Sequence, residues 1–201
     1  MDINKYWEKI KNIQCQLIDY LTQQDESFDQ LSNKLDDFKT KEDKNEIKTF
    51  FHLLTKISNN HYQTKNFYLK IFNILDFFKE ILNKLFSNEE IFDIFKSNKR
   101  ILLFLIESRK FIIDQLIFTE ISNDKFKSDR YREFFYPEIK QFLKKEEIDE
   151  IAQNFPYNFE ERRKIGQNDS YICELIRKDE VDEFTRLINE RRIPLDGKIE
   201  P

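Results

Sequence analysis

Residues able to make tight turns are scarce in this chain: 201 residues include only two glycines and four prolines. An all-β fold draws heavily on both, so their scarcity argues against one. It also excludes a nucleotide site built on a glycine-rich loop, because Gly166 and Gly197 each stand alone. Histidine and cysteine are equally sparse, the whole stock being His52, His61, Cys15 and Cys173. A structural zinc site wants four such ligands at close spacing, and no two of these stand close, so no metal site is expected. Nucleophilic catalysis by Ser or Cys usually needs a nearby base, and no nucleophile-elbow pattern is present. His52, among Phe50, Phe51, Leu53 and Leu54, reads as a hydrogen-bonded helical residue. His61 reads as solvent-facing in a polar turn. The two distant cysteines make no disulfide framework, and both fall on apolar stripes, which predicts buried free thiols in a reducing cytosol.

Long apolar runs are missing too. The longest, Ile101 to Ile106, is far short of the roughly 20 residues of a membrane span. The opening MDINKYWEKIKN lacks the apolar core of a signal peptide. An intracellular, cytoplasmic protein without membrane attachment is therefore expected. Lys5, Lys9 and Lys11 are interspersed with Asp2 and Glu8, which weakens a membrane-surface reading of the first helix. No charge of one sign dominates, since the net charge is −4. Acids sit beside both basic clusters, Lys99-Arg100 and Arg162-Arg163-Lys164, so a mixed solvated face is expected and no nucleic-acid partner.

What is abundant is phenylalanine, with 21 residues, together with helical spacing of apolar side chains. The expected class is all-α. Ile3, Tyr6, Ile10, Ile13, Leu17 and Leu21 form one stripe over a first helix from 2 to about 23. Phe28, Leu31, Leu35 and Phe38 form a second, so residues 1–40 read as an amphipathic, solvent-facing helical pair or part of a short coiled coil. Residues 41–120 read as the helical core. A helix over 43–60 uses Ile47, Phe50, Phe51, Leu54 and Ile57. The stretch 67–86 is apolar on nearly every face and belongs at the centre. Ser87 and Glu90 have the spacing of a capping box. A turn at Asn98 leads into a long helix through Ile101, Leu105, Ile112 and Leu116. Residues 121–168 read as a connection with short helices. Its polar start, over 120–136, is the candidate flexible link, Pro137 opens a helix, and 157–168 form a loop. Residues 169–201 read as a final hairpin.

Two segments share one grammar. Residues 91–114 and 171–196 each run from a short helix through a polar turn to a second helix, then to basic residues, an apolar extended piece and an aspartate. That order resembles the ankyrin repeat. Leu105-Ile106 and Leu187-Ile188 occupy its double-leucine positions, and Asn98 and Asp179 stand at its inter-helix glycine. The Thr-Pro-Leu-His opening of an ankyrin unit is absent from both. The periodicity alone fits a plain helical hairpin as well as a degenerate ankyrin unit.

A longer resemblance covers about residues 45–201. FFHLLTKISNNHYQTKNFYLKI (50–71), IFKSNKRILLFLIESRKFIID (94–114), FFYPEIKQFL (134–143) and ERRKIGQNDSYICELIRKDEVDEF (161–184) follow in an order similar to the helical N-terminal region of trichomonad-type protist ankyrin-repeat proteins. The resemblance implies stacked helical hairpins, α-solenoid-like, ending in a degenerate ankyrin-like unit that precedes an array. It implies a non-enzymatic scaffold or protein-protein interaction role, with no cofactor. The partner is an unknown protein or a following ankyrin array, and the terminal hairpin is a surface for self-association. Because the sequence ends where such an array would begin, a truncated product, a purely structural cap or a stand-alone module are alternatives. The candidate contact residues are Val181, Phe184, Leu187 and Ile188 on the last helix, and Arg191, Arg192, Pro194 and Asp196 on the extended piece. An enzyme using a carboxylate pair is the third reading. Glu146-Glu147, Asp149-Glu150 and Asp182-Glu183 read most simply as solvated helix surface.

Overall fold

The computed structural model describes residues 3–23, 27–60, 65–123, 130–153, 159–165 and 180–189. Two compact units are present, Met1–Gln153 and Asn154–Pro201. The described residues are mostly helical and include no strand, so the all-α class holds. The first unit contains α1 (Ile3–Thr22), α2 (Phe28–Lys41), α3 (Lys44–Asn60), α4 (Lys65–Phe77), α5 (Lys79–Leu85), α6 (Asn88–Phe95), α7 (Lys99–Glu107) and α8 (Gln115–Ile121). After these come α9 (Tyr131–Phe134), α10 (Tyr136–Ile139), a 3-10 turn (Lys140–Phe142) and α11 (Lys145–Gln153). The second unit contains α12 (Phe159–Ile165) and α13 (Val181–Asn189).

The stripes read from the sequence become one continuous core. Leu17, Tyr20 and Leu21 of α1 and Leu31, Leu35 and Phe38 of α2 join Phe50, Phe51 and Leu54 of α3 in a single buried cluster. The 1–40 pair therefore does not stand apart: α1 packs on α3 and α4 as well as on α2. The two terminal stripes face helices far richer in phenylalanine, and burying them there removes more apolar surface than pairing with each other alone. Phe51 lies at the centre. Its ring contacts those of Phe50, Phe78, Phe86 and Phe95 at centroid distances of 5.6, 5.4, 6.1 and 5.4 Å. These are tilted and edge-to-face arrangements, the ones favoured by the ring quadrupole.

Several expected boundaries move. The apolar stretch 67–86 is central as expected, but it breaks at Phe78 into α4 and α5, and Phe78 is itself fully buried. The long helix expected through Ile112 and Leu116 ends at Glu107, consistent with the extended piece read from the 91–114 pattern. There Arg109 takes a left-handed conformation with φ 58. Its N–H donates to the Ile106 carbonyl and the Lys110 N–H to the Leu105 carbonyl, the pair of bonds that defines a Schellman stop. The link over 120–136 is anchored at its far end by buried Tyr131 and Phe135. The loop expected over 157–168 contains α12. Cys15 is exposed, because two residues along a helix rotate it about 200° from both Ile13 and Leu17 on the buried stripe. Cys173 and His61 lie outside the described residues, as does the 171–179 half of the last hairpin. Pro137 sits in the first turn of α10 as expected.

Glycine scarcity is visible at the helix ends. The three described non-glycine residues with positive φ, Glu42, Arg109 and Arg130, are all charged. Long side chains finish other ends. The Lys70 ammonium of α4, buried, donates to the Tyr20 carbonyl at 2.6 Å and to the Gln23 carbonyl, tying down the C-terminus of α1.

Two substitutions should therefore act in opposite directions. Phe51→Ala opens a cavity among four rings and is expected to cost about 3–5 kcal/mol in urea unfolding. Arg109→Gly relieves the left-handed residue and should raise stability by about 0.5–1 kcal/mol. A neutral Phe51→Ala would refute the placement of the core centre.

Candidate interaction surface

The turn expected at Asn98 is a buried polar junction. The Asn98 Oδ1 caps α7 by accepting the Ile101 N–H at 3.0 Å. Its Nδ2 donates to Ser58 Oγ at 2.9 Å and Asn59 Oδ1 at 2.7 Å, with Tyr68 OH farther off at 3.4 Å. An amide nitrogen has two hydrogens, so the two short bonds dominate. Asn59 in turn donates through Nδ2 to the Ser97 carbonyl and hydroxyl at 3.2 and 3.1 Å. The Arg100 guanidinium lies 3.3 Å over the Tyr68 ring, and burial lowers its pKa against the favourable effect of Tyr68. The α6–α7 turn is thus locked to α3 and α4 by side chains rather than by a glycine.

The capping box expected at Ser87 and Glu90 is present. Ser87 Oγ accepts the Glu90 N–H while the Glu90 carboxylate accepts the Ser87 N–H at 2.9 Å. The same carboxylate receives the Lys44 ammonium of α3 at 2.8 Å. Lys44 first, and the Ser87 amide second, hold the Glu90 pKa below its ordinary value. Glu147 is similar: the Lys144 N–H and the Arg132 guanidinium lower its pKa, in that order. Glu147 is thus a helix-terminal brace within one of the acid pairs singled out from the sequence.

Beyond α7 the chain crosses residues 111–114 outside regular structure, with Phe111 and Ile113 buried and Ile112 65% exposed. Asn88, the first residue of α6, grips this piece at two points. Its Oδ1 accepts the Ile112 N–H at 3.1 Å, and its Nδ2 donates to the Ile112 carbonyl at 2.8 Å and to Asp114 Oδ2 at 3.0 Å. Asp114 Oδ1 then accepts the Leu116 and Ile117 N–H groups, both at 3.0 Å, and starts α8. Leu116, the second residue of α8, is also 65% exposed. Ile112 and Leu116 are thus both exposed on a backbone held by Asn88 and capped by Asp114.

The contact residues expected from the sequence divide. Val181 opens α13 and is 60% exposed, while Phe184 is half-buried. Val181, Phe184, Leu187 and Ile188 recur at helical spacing on α13, although the side chains of the last two lie outside the described residues. Arg191, Arg192, Pro194 and Asp196 also lie outside them. Glu183 pairs with Arg186 at 2.6 Å within α13, as expected of solvated helix surface. Sequence reasoning missed Asn88, Arg109, Ile112 and Leu116 as surface elements, because the apolar residues fit the stripe of a continuing helix. The aspartate spaced to cap Leu116 and Ile117 was the available signal for a break.

His52 is an exposed residue of α3, with no hydrogen bond among the described residues, in contrast to the bonded histidine expected. It borders an open cleft of about 340 Å³ with Thr55, Lys56, Asn59, Ile94 and Ser97. Desolvation, then Lys48, lowers its pKa from the ordinary 6.5, partly opposed by Asp93. Among the described residues no three His, Cys, Asp or Glu side chains form a group able to hold a metal ion. None of the described helices is long and apolar enough to cross a membrane. No family model, curated protein or solved structure matches the chain.

Two outcomes test this description. Asn98→Ala should cost about 2 kcal/mol or more, combining a lost cap with unsatisfied partners, as read by denaturant unfolding. Glu90 and Glu147 have depressed pKa values when folded, so their contribution is present above the unfolded-state value and fades as pH falls through the folded one. Glu90→Gln with Glu147→Gln should thus flatten the loss of melting temperature below pH 4.5, the ordinary glutamate value. An unchanged acid profile would rule out both braces.

Proposed function

We propose that the chain is a non-enzymatic protein-protein interaction module, the helical N-terminal part of an ankyrin-repeat type scaffold. The observation that carries this reading is the exposure of large apolar side chains on ordered backbone. Val181 projects from the start of an amphipathic helix, and Ile112 and Leu116 flank a segment gripped by Asn88. Single exposed apolar residues are ordinary on a protein surface, but a stripe on a short helix needs a partner to bury it. The helix, turn, helix and extended piece over residues 88–114 follow the order of the ankyrin-like pattern. On this reading the stripe of α13 receives a following repeat or a second copy of the chain.

A closing-cap role is the alternative, favoured by the half-burial of Phe184. The test is association of the full chain in analytical ultracentrifugation, alone and with Phe184→Asp. The interaction reading expects self-association that the folded variant loses. Association equal to wild type in a variant of unchanged circular dichroism would count against the reading. Under the cap role, deletion of residues 169–201 instead lowers the stability of the preceding helices by several kcal/mol, as roughly expected for a lost nearest-neighbour interface.

A further inference from the structure

We propose that the corner formed by Arg109, Lys110, Ile112 and Leu116 is a docking surface for an extended, acidic peptide segment of a partner protein. It rests on the interaction reading and names the partner chemistry at a surface other than α13. Three independent observations converge here. The first is apolar: two of the four large exposed hydrophobic residues in the described chain, Ile112 and Leu116, lie four residues apart. The second is charge. Arg109 is exposed and Lys110 half-buried, and neither has an ion pair among the described residues. The nearest acid in sequence on the far side, Asp114, is committed to Asn88 and to the start of α8.

The third observation concerns the backbone. Arg109 sits at the left-handed position of a Schellman stop, where glycine is the relaxed choice. Left-handed Glu42 pairs with Lys84 at 2.6 Å, whereas Arg109, like left-handed Arg130, has no ion pair among the described residues. An arginine held at a strained position, with no partner for its guanidinium among the described residues, is available to something outside the fold. The peptide is extended because the surface is itself a short piece of extended chain. The Asn88 amide already satisfies the N–H and carbonyl of Ile112, while the Ile113 N–H has no partner among the described residues. Addition of a strand offers such a group an acceptor, with alternate side chains setting specificity. Apolar side chains of the peptide cover Ile112 and Leu116, and its carboxylates meet Arg109 and Lys110, where a guanidinium can bind bidentately.

The test uses the full chain and a fluorescein-labelled synthetic peptide in which glutamate alternates with valine, read by fluorescence anisotropy. Saturable binding is expected, with none by a counterpart carrying lysine for glutamate. Arg109→Glu with Lys110→Glu, and separately Ile112→Asp, should each weaken it by roughly tenfold or more. Arg109→Gly should melt higher than wild type yet bind more weakly, a combination that a purely structural arginine would not give. The proposal is overturned if the acidic peptide binds no better than the lysine counterpart, or if the folded variants bind as wild type. Should the acidic peptide fail while Phe184→Asp still abolishes association of the chain, this surface falls and the interaction reading stands. Failure of both experiments removes both.

Discussion

The packing of Phe51 against four other rings is the constraint on which the first unit depends. Helix α3, the α4–α5 junction, the end of α5 and helix α6 meet there through Phe50, Phe78, Phe86 and Phe95 respectively. Helices α5 and α6, only 7 and 8 residues long, are too short to be stable by themselves. Their stability is therefore tertiary in origin. The rings supply directional contacts as well as burial, so the cluster fixes helix orientation in a way that an aliphatic core of the same area would not. Once α3 and α6 are fixed, Ser58, Asn59 and Asn98 come into register and the α6–α7 turn is determined.

Scarcity of glycine has a second consequence. Chains rich in glycine stop their helices locally, with a relaxed left-handed residue. Here helix ends and turns are also fastened by side chains reaching from elsewhere: Lys70 onto the end of α1, Asn98 onto Ser58 and Asn59 of α3, and Asn88 onto the piece after α7. Each such bond fastens a boundary to a distant helix, so local ordering and tertiary packing are coupled. The extended piece at 111–114 gains most. It has no strand partner among the described residues, yet it is held at both its N–H and carbonyl faces and anchored by Phe111 and Ile113. Ile112 is consequently displayed on a fixed support, which reduces the ordering cost of any contact made there.

The sequence made helix class and stripe membership readable because period and burial agree along α1, α2 and α3. The capping box at Ser87 and the turn at Asn98 were equally legible, since both are short-range motifs. What sequence could not convey was anything that depends on a partner far along the chain. Ile112 and Leu116 fit a helical stripe, but the left-handed Arg109 ends α7 before them, and the Asn88 amide, 24 residues before Ile112, holds the piece that follows. Apolar character alone places Cys15 on the buried stripe, but its angle on the helical wheel turns it to the exposed face. The modest stripes of residues 1–40 suggest a pair apart, whereas they cover α3 and α4. For the surface, the pattern of the last hairpin points to Val181, while Arg109 carries no sequence signal beyond being an arginine where glycine is preferred.

The most direct measurement is native-state hydrogen exchange of the full chain, read at the Ile112 amide against those of Phe51 and Phe95. If the surface is supported by the phenylalanine core through Asn88, the Ile112 amide exchanges only through the same large opening that exposes α3 and α6. Exchange of Ile112 through small local openings, while Phe51 and Phe95 stay protected, would contradict a fixed display and with it the physical basis of the interaction surface.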